Sequence, residues 1–247
     1  MIPKTSSELE MMREAGRIVA MVHQKMSEMI KPGITTKELD VAAYKIIKNA
    51  GATPSFLNYQ GFPASICTSI NDVVIHGIPS GRTLQEGDII SIDVGANFHG
   101  YHGDSAWTYA VGRISQENQH LLEIGEKCLY EGLKHIRHGT RLTDISHAIQ
   151  LCFLDNGYST PLDYSGHGIG KALHEKPVVM NYGLAGRGPI LKNGMTLAVE
   201  PMIIAGKCQV KTLNDQWSVV TQDGTNSCHF EHTIVVTDDG YEILTKL

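Results

Sequence analysis

Two stretches of this 247-residue chain repeat one pattern 106 residues apart, and a duplicated unit limits the possible folds more than any single motif does. Gly33, Ala42 and Gly51 of KPGITTKELDVAAYKIIKNAG fall on Gly139, Ala148 and Gly157 of RHGTRLTDISHAIQLCFLDNG, and Glu38 and Leu39 fall on Asp144 and Ile145. Each copy reads as a glycine turn, a Thr-containing helix start and an amphipathic helix closed by glycine. The stretches just before them, Ser7 to Ile30 and Ser115 to Ile136, also carry helical periodicity. The match resumes 107 residues apart in EGDIISIDV and NGMTLAVEP, where Gly87 falls on Gly194, Ile90 on Leu197, Ile92 on Val199 and Asp93 on Glu200. A helix-helix-strand unit made twice predicts an α+β chain with halves of roughly 1–112 and 113–247. One acidic side chain from each half then lies near a pseudo-two-fold axis.

Those acids belong to a larger set: Asp93 in ISIDVG, Asp104 in HGYHGDSAW, His167 in SGHGIG, Glu200 in LAVEPM and Glu231 in CHFEHTIVV. A lone Asp is usually a solvated or turn-capping residue, but an acid inside an apolar strand needs a partner. Asp93 alternates with Ile90, Ile92 and Val94, and Asn97 to Gly100 reads as a turn. With Phe98 and His99 at its tip, Asp93 sits directly opposite Asp104. Directly opposed residues have Cβ atoms about 4.5 to 5.5 Å apart, so two carboxylates there call for a cation. Four carboxylates and one imidazole suit two divalent cations sharing ligands and a water better than a tetrahedral structural zinc, which points to metal-assisted hydrolysis. Around them, His167 and His174 bracket a Gly-rich run able to bend both rings onto one site, and His76 closes the strand-like Val-Val-Ile.

Other classes are disfavoured. A net charge of -5 offers no basic footprint for nucleic acid. The apolar stretch around Val199 to Ala205 is far shorter than the roughly 20 residues of a membrane span. The polar, helical N-terminus lacks the apolar core of a targeting peptide, which predicts a cytoplasmic protein. Five cysteines with no CxxC pair argue against a disulfide framework or a thiolate zinc site.

In order, TSSELEMMREAG, KPGITTKELD, SINDVVIHGIP, GDIISIDVGA, HGDSAW, GHGIGKALHEKP, GMTLAVEPM and FEHTIVVT make the chain resemble the short bacterial type I methionine aminopeptidases, which are pita-bread metallopeptidases, over nearly its whole length. The resemblance implies the pita-bread fold, a single catalytic domain spanning 1–247, in which the two halves surround a curved antiparallel sheet. It places two divalent ions, of cobalt, manganese, iron or zinc, on Asp93, Asp104, His167, Glu200 and Glu231. In that scheme Asp104 and Glu231 bridge, Asp93 is bidentate on one ion, and His167 and Glu200 serve the other. Glu200 shuttles a proton, His174 stabilises the oxyanion and His76 contacts the amide after methionine.

The family's methionine pocket falls on Phe56, Tyr59, Phe62, Cys67, Leu173 and Trp217. Phe56, Phe62 and Leu173 replace the Cys, Tyr and aromatic residue of the enterobacterial form, changing the pocket's shape while keeping it apolar. A monovalent cation held by backbone carbonyls is implied at Asn71, Val73 and Ser227. The implied substrates are N-termini of nascent polypeptides, met at the ribosome after deformylation by a monomeric enzyme and cleaved when the second residue is small. By that rule the chain's own branched Ile2 predicts retention of Met1. Two rivals remain: a proline-specific peptidase of the same fold, which usually carries an extra N-terminal domain, and a non-catalytic binding protein, which is expected to lose ligands.

Overall fold

The computed structural model describes residues 2–247; Met1, on which the retention expectation falls, lies outside them. Four helices, α1 (Ser6–Met29), α2 (Thr36–Asn49), α3 (Gln116–Leu133) and α4 (Leu142–Asp155), surround antiparallel strands. The first two begin at the same local device. Thr5 and Thr35 cap the free amides while Glu8 and Glu38, three residues on, reach back to the capping residues' own N–H groups. Such caps are each worth about 1 kcal/mol. Ser115 caps α3 by accepting from the Asn118 N–H.

The repeat seen in the sequence is present in the hydrogen bonds. The Gly33 N–H donates to the Leu84 carbonyl and the Gly139 N–H to the Leu191 carbonyl, both at 2.9 Å. Isolated bridges join Thr35 to Thr83 and Arg141 to Ile190, again at corresponding positions. Gly87 and Gly194 have φ of 93° and 82°, in the left-handed region that glycine enters without a Cβ penalty.

In the first half, strand Ile89–Phe98 lies between Ile66–Ile70 on one edge and Tyr101–Ala110 on the other. In the second half, the antiparallel order is Tyr241–Ile243, His232–Val236, Thr196–Val199, Gly166–Gly168, Glu175–Val179. Alternation along Ile89–Phe98 buries Ile90, Ile92, Val94 and Ala96 against the inner faces of α1 and α2, leaving Ser91 and Asp93 on the opposite face. A second core of α3 and α4 residues covers Leu197, Val199 and Ile234. At the seam between the halves, side-chain hydroxyls take over from a regular ladder. Thr233 Oγ1 donates to the Asp104 carbonyl at 2.8 Å and accepts the Asp104 N–H at 3.0 Å. Ser105 Oγ donates to the Glu231 carbonyl at 2.6 Å, and the Glu231 N–H donates to the Ala106 carbonyl.

The hairpin register corrects one expectation. Phe98 pairs with Tyr101, so His99 and Gly100 form the tip, Asp93 faces Ala106 and Asp104 faces Gly95. The two-residue turn has φ of 49° at His99 and 87° at Gly100. A tight hairpin whose twist matches its strands needs positive φ at both central residues, and Gly100 supplies the second at little cost. Asp93 and Asp104 are therefore diagonal neighbours on one face of the sheet rather than directly opposed.

Candidate active site

Asp93, Asp104, His167, Glu200 and Glu231 meet at the seam, the first two from one half and the other three from the second. His167 Nε2 is 3.5 Å from Glu200 Oε1 and 4.0 Å from Asp104 Oδ2. Its Nδ1–H donates to the Gly168 carbonyl at 2.9 Å, which leaves the Nε2 lone pair facing the acids. Single ligand atoms of Asp104, His167 and Glu231 lie within 4.8 Å of one another, and so do those of Glu200, His229 and Glu231, with Glu231 common to both groups.

The electrostatics are severe for bare carboxylates. Asp104 and Glu231 are 4% and 2% exposed. Burial pushes the Asp93 carboxyl up to about 7, with His229 opposing the rise and Glu200 adding to it. Burial alone pushes Glu200 up to about 8. Burial and the neighbouring carboxylates hold Asp104 and Glu231 well above their usual range. Burial keeps the nearby rings neutral, lowering His167 and His76 to about 4. Among the described residues, Asp93 Oδ1, Asp104 Oδ1 and Glu231 Oε1 are buried without a hydrogen-bond partner. Clustered acids with orphaned oxygens and a ring nitrogen free to donate its lone pair fit hard divalent cations, which offset the cost of burying them.

A cavity of about 170 Å³ opens on this cluster, lined by the five ligand-type residues, His76, His174, Phe56, Tyr59, Gln60, Phe62, Cys67, Leu173 and Trp217. Phe62 and Trp217 meet edge to face with ring centroids 5.2 Å apart. The Phe56 ring lies so close over Gly95 that a Cβ there would come within 2.7 Å of it. Tyr59 Oη and His174 Nδ1 are 2.8 Å apart. His174 stacks edge to face on His167, centroids 4.3 Å apart. His76 ends the short strand Val73–Ile75 with φ of 60°, an uncommon conformation for a residue with a side chain, and its ring sits edge-on to Trp217.

Every site residue expected from the sequence around the acids and the methionine pocket thus lines one cavity. Asn71, Val73 and Ser227 come together elsewhere: Ser227 Oγ is 3.4 Å from the Asn71 carbonyl and 3.3 Å from that of Val73. Gln60 and His229 were missed by the sequence reasoning. For His229 a signal existed, since it stands two residues before Glu231 and an extended chain turns such residues to the same side.

The profile of metallopeptidase family M24 matches residues 10–238. The chain is 54% identical to methionine aminopeptidase 1 of Bacillus subtilis over 246 residues, covering all of this chain and 99% of that one. The chain belongs to the methionine aminopeptidases of family M24. Its structure superposes on the crystal structure of methionine aminopeptidase from Thermotoga maritima with a TM-score of 0.99 at 41% identity, each chain fully covered. The prolidase of Pyrococcus furiosus shares the fold, with a TM-score of 0.82 at 23% identity, but this chain spans only 66% of it. These likenesses establish the pita-bread architecture, and the family implies binding of divalent metal.

Proposed function

We propose that this chain, as a single catalytic domain of two halves, removes the initiator methionine from new polypeptides whose second residue is small. The observation that carries it is an apolar cavity, sized for a side chain and walled by Phe56, Tyr59, Phe62, Cys67, Leu173 and Trp217, that opens directly onto buried, unpaired carboxylate oxygens. Asp93, Asp104, His167, Glu200 and Glu231 would hold two divalent cations; the donor set admits cobalt, manganese, iron or zinc. Bound there, such cations would lower the pKa of a coordinated water and polarise the scissile carbonyl.

The remaining steps belong to the chain's own groups. The apolar walls take the methionine side chain and exclude water from it. The Glu200 carboxylate, which lines the cavity beside the other acids, accepts the proton of the attacking water and returns it to the leaving amine. The Tyr59 hydroxyl, donating to Nδ1 of a neutral His174, leaves Nε2–H as the donor to the developing oxyanion. His76, fixed at its strained strand end, contacts the amide beyond the methionine. The backbone carbonyls of Asn71, Val73 and Ser227 are a candidate seat for a monovalent cation, supported by their convergence. The substrates in this reading are nascent N-termini after deformylation, met by a monomer at the ribosome in the cytoplasm. No helix among the described residues is long and apolar enough to cross a membrane.

Hydrolysis of a Met-Gly peptide and an Xaa-Pro peptide, each with and without added manganese or cobalt after chelator treatment, tests the proposal. Metal-dependent release of methionine alone is expected. Preferential cleavage of the Xaa-Pro peptide would favour a proline-specific peptidase, and no cleavage of either a binding protein.

A further inference from the structure

His229 is the one member of the acidic cluster without a role in that mechanism. It ends the strand Ser227–His229, which pairs with Met202–Ile204, and its register partner Met202 lies two residues from Glu200. Thr108 brackets its backbone, the hydroxyl accepting the His229 N–H at 2.9 Å and donating to the His229 carbonyl at 2.8 Å. The residue is 2% exposed, and its Nε2 is buried with no hydrogen-bond partner among the described residues. A buried polar nitrogen left unpaired costs about 1–3 kcal/mol, so its surroundings show what it is for. Nε2 faces carboxylates: Glu200 Oε2 at 3.5 Å and Glu231 Oε2 at 4.0 Å.

Glu200 therefore stands between two imidazoles, with Oε1 turned to His167 Nε2 and Oε2 to His229 Nε2, both at 3.5 Å. These neighbours differ in chemistry. His167 spends its N–H on the Gly168 carbonyl and presents a lone pair, whereas His229 has carboxylate oxygens before its Nε2 and can present a proton there. We propose that His229 is a positioning residue for the metal centre: its Nε2–H holds Glu200 Oε2, which turns Oε1 toward the cation and fixes how Glu200 ligates. The inference rests on the metallopeptidase reading of the site and assigns a residue that the ligand set leaves out. A hydrogen bond that orients a ligating carboxylate in this way is commonly worth 10- to 100-fold in metal affinity.

Two substitutions separate this role from direct ligation. The Gln side chain places an amide N–H where histidine places Nε2, but it is no imidazole; Asn is too short to reach Glu200. Cobalt(II) binding to chelator-treated protein is measured by calorimetry and visible absorption for wild type, His229→Asn and His229→Gln, with thermal melts of the metal-free proteins as the folding check. His229→Asn should bind cobalt about 10- to 100-fold more weakly with an altered spectrum, and His229→Gln should stay within about threefold of wild type with its spectrum retained. Wild-type affinity in His229→Asn overturns the proposal. So does an equal loss in both variants together with more than one imidazole nitrogen per two metals in X-ray absorption of the wild type, which would make His229 a ligand. Should His229→Asn fail to fold, His229→Gln and the absorption data decide alone: retained affinity with one imidazole supports the proposal, and two imidazoles overturn it. Wild-type protein that binds no divalent ion would overturn the metal site itself.

Discussion

In the proposed mechanism Tyr59 donates to Nδ1 of His174, 2.8 Å away, so that the proton of the neutral imidazole sits on Nε2 and can be donated to an oxyanion. His174→Ala should lower kcat by about 10²- to 10³-fold, the usual cost of one oxyanion donor, with metal content by atomic absorption unchanged. Tyr59→Phe should cost only about three- to tenfold, the net worth of one hydrogen bond. Loss of metal from His174→Ala would mean that the ring is a ligand instead. At this scale the sequence was legible wherever a polar residue broke an apolar alternation, as Asp93 and Glu200 do. His229 carried only the weak signal of its two-residue spacing from Glu231, because among twelve histidines a ring next to Phe230 and Cys228 looks like a core residue until its unpaired nitrogen is seen facing Glu200.

Between elements, the helices were legible because capping residues and glycines punctuate them, and the hairpin register was not. It depended on which two residues took positive φ, and moving the tip from Phe98–His99 to His99–Gly100 changes the partner of Asp93 from Asp104 to Ala106. A second inter-element contact carries a pH signature. His23 on α1 donates from Nε2 to the Ser105 carbonyl at 3.0 Å, and its Nδ1 lies 2.9 Å from Tyr109 Oη, tying the helix to strand Tyr101–Ala110. Burial lowers the ring to about 4. A base whose folded pKa is depressed contributes stability that is complete above its unfolded value near 6.5 and lost as pH falls toward 4. Relative to His23→Gln, which cannot titrate, the wild type should lose melting temperature progressively between those two values. A difference between the two proteins that stays constant with pH would sink this account.

At the scale of the whole molecule, the site lies where the two halves meet, and neither half holds it alone: Asp93 and Asp104 come from the first, His167, Glu200 and Glu231 from the second. The duplicated sequence made this legible, because Asp93 and Glu200 occupy the same place in the two copies. The hydroxyl seam was not legible, since Thr233, Ser105 and Thr108 act on backbone groups more than a hundred residues away in sequence. Without cations the seam holds buried acids with unpaired oxygens, and ions bound only by the folded chain would fasten the halves together. Binding at a hundred times the dissociation constant stabilises a fold by about 2.7 kcal/mol, which for a chain of this length raises the melting temperature by about 5 to 10 °C. Chelator-treated protein should show that rise on adding manganese or cobalt, increasing with the logarithm of concentration. Asp104→Ala should lose most of it, along with hydrolysis of the Met-Gly peptide and part of the metal stoichiometry. An undiminished rise in Asp104→Ala, or none in the wild type, would show that metal does not join the halves at this seam.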